Sequence, residues 1–73
     1  MDISTALSIV LKENRNRLHL SQEQLAFKSD LDRTYISLLE RGKRKPTLHA
    51  LFSISSALDI KTSDFIKQIE NLL

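Results

Sequence analysis

Apolar residues recur at the spacing of an α-helix through almost the whole chain, in successive stretches separated by short polar breaks. Ile3, Ala6, Leu7, Val10, Leu11 and Leu18 define a first amphipathic helix, with Lys12, Glu13, Arg15 and Asn16 between them. Ser21, with Gln24 three positions later, is a capping-box pattern that opens a short second helix over about Gln22 to Lys28, with Leu25 and Ala26 facing inward. Ser29-Asp30-Leu31-Asp32 carries turn chemistry and one apolar anchor. Asp32 is placed to cap a third helix running to Arg41, in which Ile36, Leu38 and Leu39 lie on the side away from Arg33, Thr34 and Ser37. Gly42, the only glycine, stands where a helix needs a left-handed closing residue, and Lys43 to Pro46 do not continue the helix. Thr47 opens a fourth helix to about Leu58, with Leu48, Leu51, Ile54, Ala57 and Leu58 at core spacing and Ile60 plugging the next turn. Thr62 or Ser63 caps a fifth helix, to about residue 72, with Phe65, Ile66, Ile69, Leu72 and Leu73 on a wide apolar stripe.

The expected fold is therefore all-α, a compact five-helix arrangement. Seventy-three residues suit one domain, spanning 1–73, and a chain this short buries only about 60% of its unfolded surface. The absence of cysteine removes disulfides, thiolate zinc sites and thiol nucleophiles together, and fits a reducing cytoplasm. His19 and His49 lack metal-ligand spacing and read as surface residues, so no metal or cofactor is expected. No nucleophile elbow, phosphate loop or zinc motif is present, which argues against an enzyme. The longest apolar stretch, Ala6 to Leu11, is interrupted by Ser8 and falls far short of the roughly 20 residues that span a bilayer. Met1-Asp2-Ile3 lacks the basic start of a secretory signal, so a cytoplasmic location without membrane association is expected.

Net charge is only +2, but it is unevenly spread. Residues 12 to 45 carry nine basic residues (Lys12, Arg15, Arg17, Lys28, Arg33, Arg41, Lys43, Arg44, Lys45) against five acids, while each flank is net negative by one. A basic middle fits a polyanionic partner, nucleic acid first among them, although a solvated surface has the same composition.

The segment from Leu20 to Gly42 reads as two short helices joined by a tight turn, a helix-turn-helix over about 21–41. Ala26 permits close helix approach, Leu31 fills the wedge under the turn, and Ile36 and Leu39 hold the second helix to the body. Its outer face is then free to enter a groove. Leu-Ser-Gln-Glu-Gln-Leu-Ala at 20–26, Tyr-Ile-Ser-Leu-Leu-Glu-Arg-Gly at 35–42 and the Pro-Thr-Leu…Leu pattern from 46 to 58 together resemble the XRE family of helix-turn-helix regulators, typified by phage Cro and repressor proteins. The resemblance spans roughly residues 7 to 66, and Leu-Asp-Arg-Thr-Tyr-Ile-Ser at 31–37 is similar to the controller proteins of restriction-modification systems.

That resemblance implies a lambda-repressor-like fold and a transcriptional regulator, repressor or activator, that binds double-stranded DNA. It implies that Arg33, Thr34 and Ser37 read base edges, an arginine there being able to fork onto guanine. Gln22 takes the place of the family's phosphate clamp at the start of the second helix. Lys43, Arg44 and Lys45 fall in the loop that touches the sugar-phosphate backbone. Tyr35 is placed either for a phosphate or for packing across the helix with its hydroxyl in water. Arg15 and Glu40 match positions that form a partly buried ion pair between the first and third helices. The sequence departs from the family at Ser29-Asp30, where small residues or glycine are common, and the charges of Asp30 and Asp32 would repel nearby phosphates.

The fifth-helix stripe of Phe65, Ile66, Ile69, Leu72 and Leu73 is either folded back on its own core or, as we expect, the interface of a homodimer that binds a two-fold symmetric operator. Glu23 lies on the second-helix surface that some family members present to RNA polymerase. The alternative from another class is a protein-interaction module, such as an antitoxin, docking through the same stripe.

Overall fold

A computed structural model describes all of residues 1–73 and contains helices α1 (Ile3–Arg17), α2 (Gln22–Ser29), α3 (Arg33–Glu40), α4 (Leu48–Ala57) and α5 (Thr62–Glu70). Local chemistry sets where most of them start. Asp2 accepts a 2.7 Å hydrogen bond from the Thr5 amide, which also holds its carboxyl below the usual carboxylate range. Ser21 and Gln24 form the reciprocal capping box, at 3.0 and 2.8 Å. Thr47 accepts from the Ala50 amide at 3.0 Å. Two expected caps are absent. Asp32 holds the N-cap position of α3 without a side-chain bond, and α5 starts one residue early, after Lys61. Thr62 is instead tied to α4: the buried Ser55 hydroxyl donates to the Leu51 carbonyl and so accepts from the Thr62 hydroxyl, at 2.6 Å.

Four helices close in the same way. His19, Asp30, Gly42 and Asp59 are left-handed, at φ 57°, 56°, 68° and 56°, and the amide of the next residue reaches back five positions to a helix carbonyl. Three of those next residues, Leu20, Leu31 and Ile60, pack on the core, and their burial holds a non-glycine residue in a conformation that costs about 1–2 kcal/mol. Gly42 is needed for its φ alone, because an added Cβ would make only ordinary contact, 3.7 Å from the Ser4 carbonyl oxygen. Asp30→Gly should therefore raise stability by up to about 1 kcal/mol, or several degrees in Tm for a domain of this size. An unchanged or lower melting temperature would show that Asp30 carries no conformational cost.

The helices pack as α1 on α3 and α5, α2 on α3 and α4, and α4 on α5, around one core containing Leu11, Leu25, Ile36, Leu39, Ile54, Leu58 and Phe65. Every buried side-chain polar atom is hydrogen-bonded. Ala26 is buried at the α2–α3 contact and Leu31 fills the turn beside it. Three apolar placements differ from expectation. Leu48 is 66% exposed, because α4 carries apolar residues on more than one side and its Ala50–Ile54–Ala57 side faces the core. Leu38 is half-buried and lies outside the core, lining a groove with Tyr35 and Arg44. The α5 stripe is divided: Phe65 is fully buried and Ile69 nearly so in the protomer's own core, while Ile66 stays exposed and Leu72 and Leu73 follow the end of the helix. Phe65 thus fills the space between α1 and α4, while Ile69, nearly buried, still lines the apolar groove bordered by Ile66 and Leu73.

Candidate nucleic-acid interface

The turn after α2 sends α3 across the surface with Arg33 and Thr34 exposed on its first turn and Ser37 half-exposed one turn later. With Ile36 and Leu39 taken up by the core, the outward side of α3 is polar. Gln22, Arg33, Thr34, Ser37 and Arg41 line one shallow hollow without a single apolar side chain. Four of these five were singled out in the sequence. The sequence counts Arg41 in the basic middle and ends the third helix at it, yet it lies two turns from Arg33 on the same side, and the i, i+4, i+8 spacing Arg33–Ser37–Arg41 is the signal that marks it. Its guanidinium donates to the Ser37 carbonyl at 3.4 Å.

Gln22 starts α2, and its amide donates to Glu40 Oε1 at 3.2 Å. The bond orients the side chain toward α3 and leaves a second amide proton, beside the first-turn backbone N–H groups that no α-helix satisfies internally. Glu40 is held from the other side by Arg15: Nε donates to Oε2 at 2.5 Å and the second terminal nitrogen to Oε1 at 2.8 Å. The remaining terminal nitrogen of Arg15 donates to the Leu20 carbonyl at 2.8 Å, at the close of α1. Glu40 is 1% exposed and Arg15 13%, so the fork is all but dry, and the hydrogen bonds to Glu40 raise the Arg15 pKa above its already high ordinary value. A group with a raised pKa gives its full stabilisation below the ordinary arginine range and loses it only above, so between pH 5 and 9 the Arg15 contribution is constant.

Tyr35 has a definite neighbourhood. Its hydroxyl accepts from the Thr47 amide at 3.4 Å, and the Arg44 guanidinium lies over its ring, 5.6 Å from the centroid. The ring packs against the core as well. Tyr35 therefore braces the loop that carries the exposed Lys43, Arg44 and Lys45, while its hydroxyl proton remains free for an acceptor. Asp30, Asp32 and His49 border the same groove, with both carboxylates exposed.

Because Arg15 is spent on Glu40, the free positive charge of this side comes from Arg33, Arg41, Lys43, Arg44 and Lys45. No His, Cys, Asp or Glu cluster could hold a metal ion, and no helix is long and apolar enough to cross a membrane.

The helix-turn-helix family matches residues 11–65. Control protein C.BamHI of Bacillus amyloliquefaciens is 45% identical over 51 residues, which are 70% of this chain and 63% of that protein, so the match spans slightly less than two thirds of it. Control protein C.MunI of a Mycoplasma species is 44% identical over 59 residues, 81% of this chain and 80% of that protein. The restriction-modification controller protein C.Esp1396I, solved as a tetramer in complex with its natural 35 base-pair operator, is similar with a TM-score of 0.88 at 35% identity, covering 97% of this chain and 93% of that one. The chain belongs to the helix-turn-helix family, with restriction-modification controller proteins among its relatives.

Proposed function

We propose that this protein is a single-domain transcriptional regulator that binds double-stranded DNA sequence-specifically, as a homodimer on a two-fold symmetric operator, and controls the genes of a restriction-modification system. The observation that carries the reading is the polar hollow of Gln22, Arg33, Thr34, Ser37 and Arg41 on an otherwise anchored α3, flanked by the basic loop 43–45. Arg33, Thr34 and Ser37 read base edges; Gln22, Tyr35, Lys43, Arg44 and Lys45 hold phosphates and set the register. Arg15 and Glu40 keep α1 and α3 in place and make no contact with DNA. The protein works in the cytoplasm, where its DNA is, and Glu23, exposed on α2, is the side chain offered to RNA polymerase.

The dimer forms through apolar side chains that the protomer leaves uncovered. Ile66, Ile69 and Leu73 border an apolar groove with Ile3, Leu7, Pro46 and Leu51, and Leu48 and Phe52 extend the exposed apolar surface on α4 at i, i+4 spacing. Two recognition helices so joined would lie ~34 Å apart, one turn of DNA. Two such dimers share one operator, in the way that C.Esp1396I is a tetramer on its own. Ile66→Asp should leave the helical fold intact, since Ile66 is outside the core, but convert dimer to monomer in sedimentation and weaken operator binding by about 100-fold through lost bivalency. A stable dimer in that variant would move the interface elsewhere.

The direct test of function is selection of sites from random duplex DNA at near-physiological salt. Enrichment of an inverted repeat with half-sites about one turn apart is expected. Salt-sensitive binding to all DNA, without enrichment, would favour an antitoxin-like interaction module.

A further inference from the structure

Four helices follow a residue of capping type held in the extended backbone of a cap, and three of those residues use it: Asp2, Ser21 and Thr47 each accept from an amide three positions on. Asp32 does not. Its backbone is of the same kind, at φ −75° and ψ 141°, yet its carboxylate makes no cap hydrogen bond. It makes no ion pair either, the one salt bridge of the protein being that of Arg15 with Glu40. Asp32 is exposed and borders the groove that it shares with Thr34, Tyr35 and Arg44.

We propose that Asp32 reads a base, and selects cytosine through its 4-amino group; the inference rests on the operator-binding reading above and adds one position to each half-site. Residues at the N-terminus of a helix laid in the major groove come nearest the base edges. Thr34 lines both the polar hollow that holds Arg33 and the groove that holds Asp32, so the start of α3 carries a guanidinium on one side of Thr34 and a carboxylate on the other. A carboxylate only accepts hydrogen bonds, and the only donors in the major groove are the amino groups of cytosine and adenine. On adenine the amino group stands beside N7, an acceptor that repels the second carboxylate oxygen. On cytosine its neighbour is a C–H edge. Cytosine is therefore the base that fits.

Charge supports the same role. The exposed Lys43, Arg44 and Lys45 attract phosphates to this side, whereas a carboxylate without a donor is repelled by them. Asp32 thus costs affinity on every site except one that offers it an amino group, and a residue that penalises wrong sites raises specificity more than affinity. Asp30 borders the same groove, but it closes α2 and is not part of the helix whose polar side faces DNA.

The test titrates the full chain, at one near-physiological salt concentration, on the selected operator and on duplexes carrying each other base pair in turn at every half-site position. Wild type should prefer cytosine at one position by about 10-fold per half-site. Asp32→Ala should lose that preference and keep the guanine preference that Arg33→Ala removes. Asp32→Asn should move the preference at the same position to adenine, because an amide accepts from N6 and donates to N7. Both variants should fold, since the carboxylate makes no bond within the protein, and circular dichroism checks this. Asp32→Asn, equal in size to the wild-type residue, carries the test by itself if Asp32→Ala unfolds. Cytosine preference retained in a folded variant would overturn the assignment. Tighter binding to every duplex with all base preferences intact would show that Asp32 only repels phosphates, and would overturn it likewise. If wild type selects an Arg33-dependent guanine but no base that depends on Asp32, this inference alone fails; if it selects no site, the operator reading fails with it.

Discussion

Arg15→Ala is expected to cost about 3–5 kcal/mol of folding stability, since it leaves the carboxylate of Glu40, 1% exposed, with only the Gln22 amide for a partner. A domain of 73 residues has roughly 4–11 kcal/mol in total, so this single change brings the chain to the edge of unfolding at 25 °C. Urea denaturation would show a large fall in midpoint, and DNA binding would disappear with it. That loss would be structural: Arg15 forks onto Glu40 and caps the Leu20 carbonyl, and it lies outside the polar hollow. The paired replacement Arg15→Met with Glu40→Leu removes both charges together and should recover most of the stability, because an apolar pair of similar volume is often as stable as a buried ion pair. A loss below about 1 kcal/mol in Arg15→Ala would show that water reaches Glu40.

Arg33→Ala should leave stability unchanged and remove discrimination at one base pair in each half-site. A bidentate arginine–guanine contact is worth about 1–3 kcal/mol, so across both half-sites the preferred sequence loses about 2–6 kcal/mol relative to a site lacking that guanine. Arg44→Ala is the control. Resting on the Tyr35 ring in the loop after α3, it should hold a phosphate, so its loss should weaken binding to every sequence alike and flatten the salt dependence by about one unit per protomer. Parallel titrations of both variants on the selected operator and on a half-site variant separate the two outcomes. Equal losses on every sequence from both would remove Arg33 as a reader of bases.

The contrast between Arg15 and Arg33 shows how far residue type and spacing reach. Both arginines are visible in the chain and both belong to the basic middle, yet one is neutralised by a residue 25 positions away and the other faces solvent. Resemblance to a known pattern separated them; charge did not. Arg41 marks the boundary of α3 in the sequence, and its spacing from Arg33 puts it on the same side, but its place beside Gln22 is set only when α2 is laid against α3. Tyr35 stood between two roles in the sequence, and the loop that folds back to its hydroxyl brings them together: it braces the basic loop and still has a proton to donate.

What could be read along the chain depends on groups a few residues apart. The capping box of Ser21 and Gln24, the Thr47 cap and the Gly42 stop act within one turn of backbone, so their residue types already state the outcome. The helical periodicity likewise announces five helices and the buried side of α3, because a short helix with few apolar residues can turn only one face inward. Packing decided the rest. His19, Asp30 and Asp59 take left-handed turns that their own preferences disfavour, because Leu20, Leu31 and Ile60 are buried by doing so. On α4 and α5 apolar residues outnumber the places available in the core, so periodicity could not tell which would be left outside. The fit of Ile54 and Phe65 between neighbouring helices left Leu48, Phe52 and Ile66 exposed, since a close-packed interior admits only what its volume allows.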